Sequence, residues 1–188
     1  MNRLMTNKAL VAFASSILTT PLLAETSAQI GAGWHASDIT NNTSVYDAKF
    51  SSPVFSARLL PSKHFAIETN YYLSGGGSFD LNDTSGSSSF ETSGLELNLL
   101  FGSNMMEPGF FAYAGVGYFS ENWDSNVSGS HFSASGLQAP VGLGYNFGNF
   151  SVDLQYAYRE ASAYDGSVFD SGSDVEASIY QLRLLTNL

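Results

Sequence analysis

The stretch Asn149 to Glu160, NFSVDLQYAYRE, sets Phe150, Val152, Leu154, Tyr156 and Tyr158 on alternate positions, with Ser151, Asp153, Gln155, Ala157 and Arg159 between them. Alternation this strict belongs to a β-strand, whose successive side chains point to opposite faces. Two folds remain open. A soluble sheet turns the apolar row to its core and the polar row to water, whereas a barrel in a membrane reverses the two.

The same period of two recurs along the chain and predicts about eight strands. Ala28, Ile30, Ala32, Trp34 and Ala36 mark the first, and Phe55, Ala57 and Leu59 the second. Phe65, Ile67 and Tyr71 mark the third, and Leu95, Leu97, Leu99 and Phe101 the fourth. Phe110 to Phe119, Leu137 to Phe147, the Phe150 stretch and Tyr180 to Leu188 complete the set. Connections after strands two, four and six are brief. Those after one, three, five and seven are long and polar, roughly Ser37 to Ser52, Ser74 to Phe90, Ser120 to Ser130 and Ala161 to Asp174. Their glycine, serine, asparagine and aspartate cannot build a core. Short turns on one rim and long loops on the other are the asymmetry of an outer-membrane barrel.

One row across all strands collects Arg58, Glu68, Asn70, Glu96, Asn98, Gln138, Asp153, Gln155, Arg159, Gln181 and Arg183, separated by glycines. The other row is almost free of charge. Three arginines and three acids are few for a wall washed by water, but they suit a lumen, where Arg58, Arg159 and Arg183 can pair with Glu68, Glu96 and Asp153. The turn at Pro61 to His64 puts Arg58 opposite Glu68. The loop after strand three puts Glu68 beside Glu96, and the last loop puts Arg159 beside Arg183. Eight strands leave an interior that side chains can fill, so a plugged cylinder is expected before an open pore. Trp34, Phe110, Tyr118, Phe147 and Phe150 fall near strand ends, where an aromatic girdle sits.

The N-terminus reads as a secretory signal over residues 1–24: Arg3 and Lys8, the apolar run Ala9 to Leu18, then Pro21-Leu-Leu-Ala24 with cleavage after Ala24. Residues 25–188 then form the barrel domain. Without Arg3 and Lys8, five basic residues remain against 17 acidic ones, a formal charge of −12, which argues against a nucleic-acid partner. The chain has no cysteine, so neither disulfides nor thiolate metal sites are open to it.

Together with this leader and alternation, AYAGVGY (Ala112 to Tyr118), APVGLGYNFG (Ala139 to Gly148) and VDLQYAYR (Val152 to Arg159) resemble the small outer-membrane β-barrel proteins. These are the OmpA transmembrane-domain, OmpX and opacity-like porin type. The resemblance covers the mature chain and implies an eight-stranded antiparallel up-and-down transmembrane barrel in the cell outer membrane. It also implies a last strand read by the assembly machinery. Here that strand carries Tyr180, Leu182, Leu184 and Leu188, with Thr186 breaking the row and leucine where members usually end in an aromatic residue.

Chemistry is sparse. His131 and Ser133 in HFSASG are similar to the His-x-Ser of outer-membrane lipid A deacylases, but Ala134 stands where those enzymes carry asparagine and Tyr145 where they carry an acid. His35 and His64 have no metal-ligand partners in sequence. Twelve of the 17 acids lie in or beside the long connections, accompanied there only by Lys49. Asp165 to Asp174 lacks the alternating ligands and closing glutamate of a calcium loop. No catalytic residue, metal or cofactor is therefore expected. The expected function is a monomeric structural or surface-interaction barrel meeting outer-membrane lipid and lipopolysaccharide, with divalent bridging to lipopolysaccharide phosphates as a weaker reading. The alternative is a narrow channel gated by the lumen charges, with the deacylase behind it. A soluble lipocalin-like barrel is the structural alternative.

Overall fold

In a computed structural model of the protein, the described residues are 26–41, 46–81, 88–125, 131–164 and 175–188. The leader expected over residues 1–24 lies outside them. Eight strands close into one antiparallel up-and-down barrel in which each strand pairs with its sequence neighbours and β1 with β8. They are β1 (Ser27–Asn41), β2 (Tyr46–Ser62), β3 (Phe65–Leu81), β4 (Ser88–Gly102), β5 (Gly109–Ser125), β6 (His131–Asn146), β7 (Phe150–Arg159) and β8 (Val175–Asn187). Closure pairs the backbone of every strand within the wall, the condition a bilayer imposes on a sheet.

The apolar row faces outward. Leu154, Tyr180, Leu182 and Leu184 on neighbouring strands are all about half exposed, while Asp153, Gln155, Gln181 and Arg183 between them are 1% exposed. On β6 this outer apolar row runs from Leu137 to Tyr145, about the length a tilted strand needs to cross a bilayer. Its lower edge is a run of aromatic contacts. Phe110 meets Tyr145 edge-on at 4.8 Å, Tyr145 meets Phe147 at 4.6 Å, and Phe147 stacks on Phe150 at 4.7 Å. Trp34 opposite Leu182, Tyr156 opposite Tyr180 and Tyr118 opposite Leu137 mark the upper edge.

Most strands continue past that upper edge, and there the two faces exchange character. On β5 the outward row passes from Val116 and Tyr118 to Ser120, Asn122 and Asp124, while the inward row passes from Gly115 and Gly117 to Phe119 and Trp123. On β8 Glu176 and Ser178 turn outward and Val175, Ala177 and Ile179 inward. The cause is the solvent. Below the boundary the wall meets acyl chains, and above it water, so the upper third is built like a soluble barrel with an apolar inside. Ile39, Phe50, Phe119, Trp123, Tyr164 and Val175 belong to that upper apolar core. A second core of Leu60, Ala66, Leu100, Met105, Phe111 and Tyr113 closes the end with the short turns.

This collar corrects the expected loop lengths. Strand continues into the stretches expected as loops at Ser37 to Ser52, Ser74 to Phe90 and Ser120 to Ser130. Short polar residues there have the composition of loops, but Ser120, Asn122 and Asp124 are the outer face of a strand standing in water.

Glycines on the inner row make room for rings. A Cβ on Gly142 would lie 2.3 Å from Cζ of Tyr113, and one on Gly94 2.2 Å from the Tyr72 hydroxyl. Gly142→Leu therefore overpacks the lumen, and we expect it to cost about 1–3 kcal/mol in denaturant unfolding from detergent micelles. Gly76→Ala, whose added methyl meets nothing within 4 Å, leaves the midpoint unchanged. Gly148, at φ +96°, is different: its left-handed backbone makes the β6–β7 turn, and Asn146 Oδ1 accepts its N–H at 2.7 Å.

Candidate functional site

Inward-facing polar side chains between the two apolar cores form one hydrogen-bonded column. Its lower tier is held by two arginines and two acids. Arg58, directly opposite Glu68 in register, donates to Glu68 Oε2 through Nε at 2.9 Å and Nη2 at 2.5 Å. The same Nη2 donates to Asp153 Oδ2 at 2.7 Å. Arg183, opposite Asp153, donates to both Asp153 oxygens at 2.9 Å, and its Nη1 lies 2.8 Å from Glu68 Oε1. Tyr113 completes the tier, donating to Asp153 at 3.0 Å and accepting from Arg183 at 2.8 Å.

The upper tier centres on Arg159. Its Nη2 donates to Glu96 at 2.8 Å and its Nη1 to Glu121 at 2.5 Å, while its guanidinium carbon lies 4.2 Å from the centre of the Phe119 ring. Glu121 also accepts from the Tyr72 hydroxyl and the Trp123 indole, both at 2.8 Å. Neutral amides join the tiers: Asn70 Nδ2 donates to Glu68 and to Glu96 at 3.0 Å each, and Gln181 Nε2 donates to Glu96 at 2.9 Å.

The six charged residues singled out from the sequence, Arg58, Glu68, Glu96, Asp153, Arg159 and Arg183, thus all lie in this column. Two pairings differ from the expected register. Asn98 stands opposite Glu68 and Asn70 opposite Glu96, so an amide separates the two carboxylates. Arg159 stands opposite Ala177, and Arg183 opposite Asp153, which puts the two arginines in separate tiers. The difference lies in the β7–β8 register, which runs unbroken from Phe150 opposite Thr186 to Arg159 opposite Ala177.

Glu121 is the charged member that sequence reasoning missed. It falls within the Ser120 to Ser130 stretch expected as a wet connection, yet it keeps step with Tyr113 and Phe119 and is 2% exposed. Parity alone could have found it. With it, three guanidiniums face four carboxylates among the described buried residues. Phenol, indole and amide donors take up the excess charge, and each buried carboxylate here accepts several hydrogen bonds.

The remaining candidates lie elsewhere. His35 is buried in the lumen, stacked on Tyr72 at 4.1 Å, and His64 sits in the β2–β3 turn against the carbonyl of Gly102. His131 and Ser133 share the outer face of β6 above the aromatic edge. His131 Nδ1 contacts the Asp124 carboxylate, and no hydrogen bond joins it to Ser133. Tyr145 lies at the opposite end of the same strand. Tyr180, Leu182 and Leu184 face outward on β8, with Thr186 in the same row; Leu188, just past its end, is exposed, and its N–H closes onto the Ala28 carbonyl at 2.8 Å. Asp165 to Asp174 lies outside the described residues.

No protein-family model matches the chain, and no curated protein does. Solved structures do. The neisserial surface protein NspA superposes with a TM-score of 0.61 at 17% identity, over 86% of this chain and 97% of that one. Ail, the attachment invasion locus protein of Yersinia pestis, gives 0.55 at 15% identity over 87% and 99%. The outer membrane protein OprG from Pseudomonas aeruginosa gives 0.55 at 13% identity over 86% and 95%. At these identities the likeness is one of fold: the chain has the architecture of the small eight-strand outer-membrane barrels.

Proposed function

We propose that the chain is an integral outer-membrane barrel with no catalytic activity, a monomer anchored in lipid that carries a rigid acidic collar and loops at the cell surface. The observation that supports a scaffold over a conduit is the burial of the charged column. Glu68, Glu96 and Arg159 are 0% exposed, and apolar cores cover the column at both ends. Groups so enclosed present no surface to bulk solvent, and an ion crossing them would have to break several charge-assisted bonds at once. The outer apolar band fits acyl chains, and the polar collar above it fits the lipopolysaccharide headgroup layer. In this reading β8, with Tyr180, Leu182 and Leu184 outward and Leu188 just past its end, is the strand presented to the assembly machinery.

Fractionation with gel mobility before and after boiling tests the anchoring: a folded barrel runs faster unheated and partitions with the outer membrane. Planar-bilayer recording tests the closed lumen. We expect no steady conductance from the wild type, nor from Arg159→Ala, because both apolar cores remain in that variant. Steady conductance that rises in Arg159→Ala would make the channel reading the correct one. Mass spectrometry of lipid A from cells with and without Ser133→Ala tests the absence of deacylation, and we expect identical spectra.

A further inference from the structure

The seam between β2 and β3 is interrupted just above the apolar band. Phe50 stands opposite Gly77 and Val54 opposite Tyr72, so β3 spends four residues, Leu73 to Gly76, where β2 spends three, Ser51 to Pro53. Leu73 and Ser74 are both exposed, the break in alternation that a bulge makes. A groove of about 420 Å³ opens there on the outer wall, lined by Lys49, Phe50, Ser51, Gly76 and Gly77. That volume is in the range of small-ligand sites. The groove stands clear of the rim. Lys49 is three positions down β2 from Tyr46 and Gly77 four down β3 from Leu81, about 10 and 13 Å of strand.

Its glycines differ in why they lack a side chain. A Cβ on Gly75 would lie 2.2 Å from the Ser51 carbonyl oxygen, and one on Gly77 2.1 Å from Cδ1 of Phe50, so packing excludes both. Gly76 is under no such demand: a Cβ there meets nothing within 4 Å, and its backbone is not left-handed. What its missing side chain leaves is open space beside Lys49 and Ser51, the mark of a strand glycine that lets a ligand approach.

Height and charge select the occupant. Lys49 stands opposite Asp38, and Asp38 opposite Ser178, at the upper edge of the apolar band. Below the groove, Phe55 and Tyr71 face each other across the same seam, and both are exposed, as is Leu73. Among the described residues Lys49 is the one exposed lysine or arginine of the collar, where Asp38, Glu91, Asp124, Glu160 and Glu176 supply negative charge. Its Nζ lies 3.7 Å from Asp38, beyond hydrogen-bond range. An anionic headgroup layer against this wall is repelled by those carboxylates and drawn to Lys49.

We propose that the β2–β3 groove is a lipid site, which seats the phosphate of one outer-leaflet lipid against Lys49 and Gly76 while its acyl chains descend over Phe55, Tyr71 and Leu73. The proposal rests on the membrane-anchored reading above and names a ligand for the collar.

The test is native mass spectrometry of the protein in maltoside micelles, titrated with diphosphoryl lipid A or with the same lipid stripped of both phosphates. One saturable copy of the phosphorylated lipid is expected, and the stripped lipid should bind about fivefold more weakly. Lys49→Ala should lose about the same factor and Lys49→Arg retain it. Gly76→Leu should weaken binding similarly by filling the groove while leaving every charge in place. Lys63→Ala, at the opposite end of the barrel, should bind as the wild type does. Equal binding of the two lipids, or a Lys49→Ala variant that binds like wild type, would overturn the site. So would loss in Lys49→Ala without loss in Gly76→Leu, which places the phosphate off the groove, or displacement of the lipid by millimolar inorganic phosphate. Unheated gel mobility separates the two failures. A sample that shifts as a folded barrel yet ignores the phosphates sinks only this proposal, whereas one that does not shift sinks the membrane reading beneath it.

Discussion

Arg183→Leu should lower the unfolding free energy by about 3–5 kcal/mol, the largest loss expected from a single lumen substitution. The guanidinium bonds both oxygens of Asp153, reaches Glu68, and donates to Asn70 and Tyr113. Leucine fills part of the space but leaves two carboxylates at 0–1% exposure sharing Arg58 alone. An orphaned buried charge costs more than the pair contributed. The check is urea unfolding from vesicles, followed by the fluorescence of Trp34 and Trp123. Arg183→Leu combined with Asp153→Leu should recover part of the loss, because the second substitution removes one of the orphaned charges. If the single variant unfolds within about 1 kcal/mol of wild type, the column is more hydrated than its burial indicates.

Leu182→Arg should cost about 2–4 kcal/mol, and Ser178→Arg on the same outer row of β8 no more than about 1. Both side chains leave the same face of one strand, and neither touches the lumen. They differ in height: Leu182 stands opposite Leu154 in the apolar band, and Ser178 opposite Tyr158 at its upper edge. An arginine at Leu182 must be hydrated within acyl chains, whereas one at Ser178 reaches headgroup phosphate and water. The contrast between the two measures orientation and depth together. Equal costs would mean that the outer face does not meet a hydrocarbon layer, and the soluble barrel would be the better account.

Much of this was legible from one dimension. Strict alternation in Phe150 to Tyr158, repeated from Ala28 to Leu188, fixes which residues share a face, because a period of two depends only on local backbone geometry. The near absence of charge from one face then says which side meets lipid, since few other exteriors can be so apolar. Parity also carried the six lumen charges and the direct Arg58–Glu68 pairing, for there the turn between strands is short enough to fix register.

What parity could not carry is height. Where the bilayer ends along a strand is set by the matching of apolar bands on all eight strands, a property of the closed cylinder. Thus Ser120 to Asp124 looked like loop, although Glu121 faces the lumen and Trp123 packs the upper core. Register across a long connection was equally out of reach. That Arg183 meets Asp153 and not Arg159 follows from the β7–β8 register, in which Arg159 stands opposite Ala177, and so long a connection leaves that register open in the sequence. Local chemistry decides which way each side chain points; only the assembled wall decides what it points at.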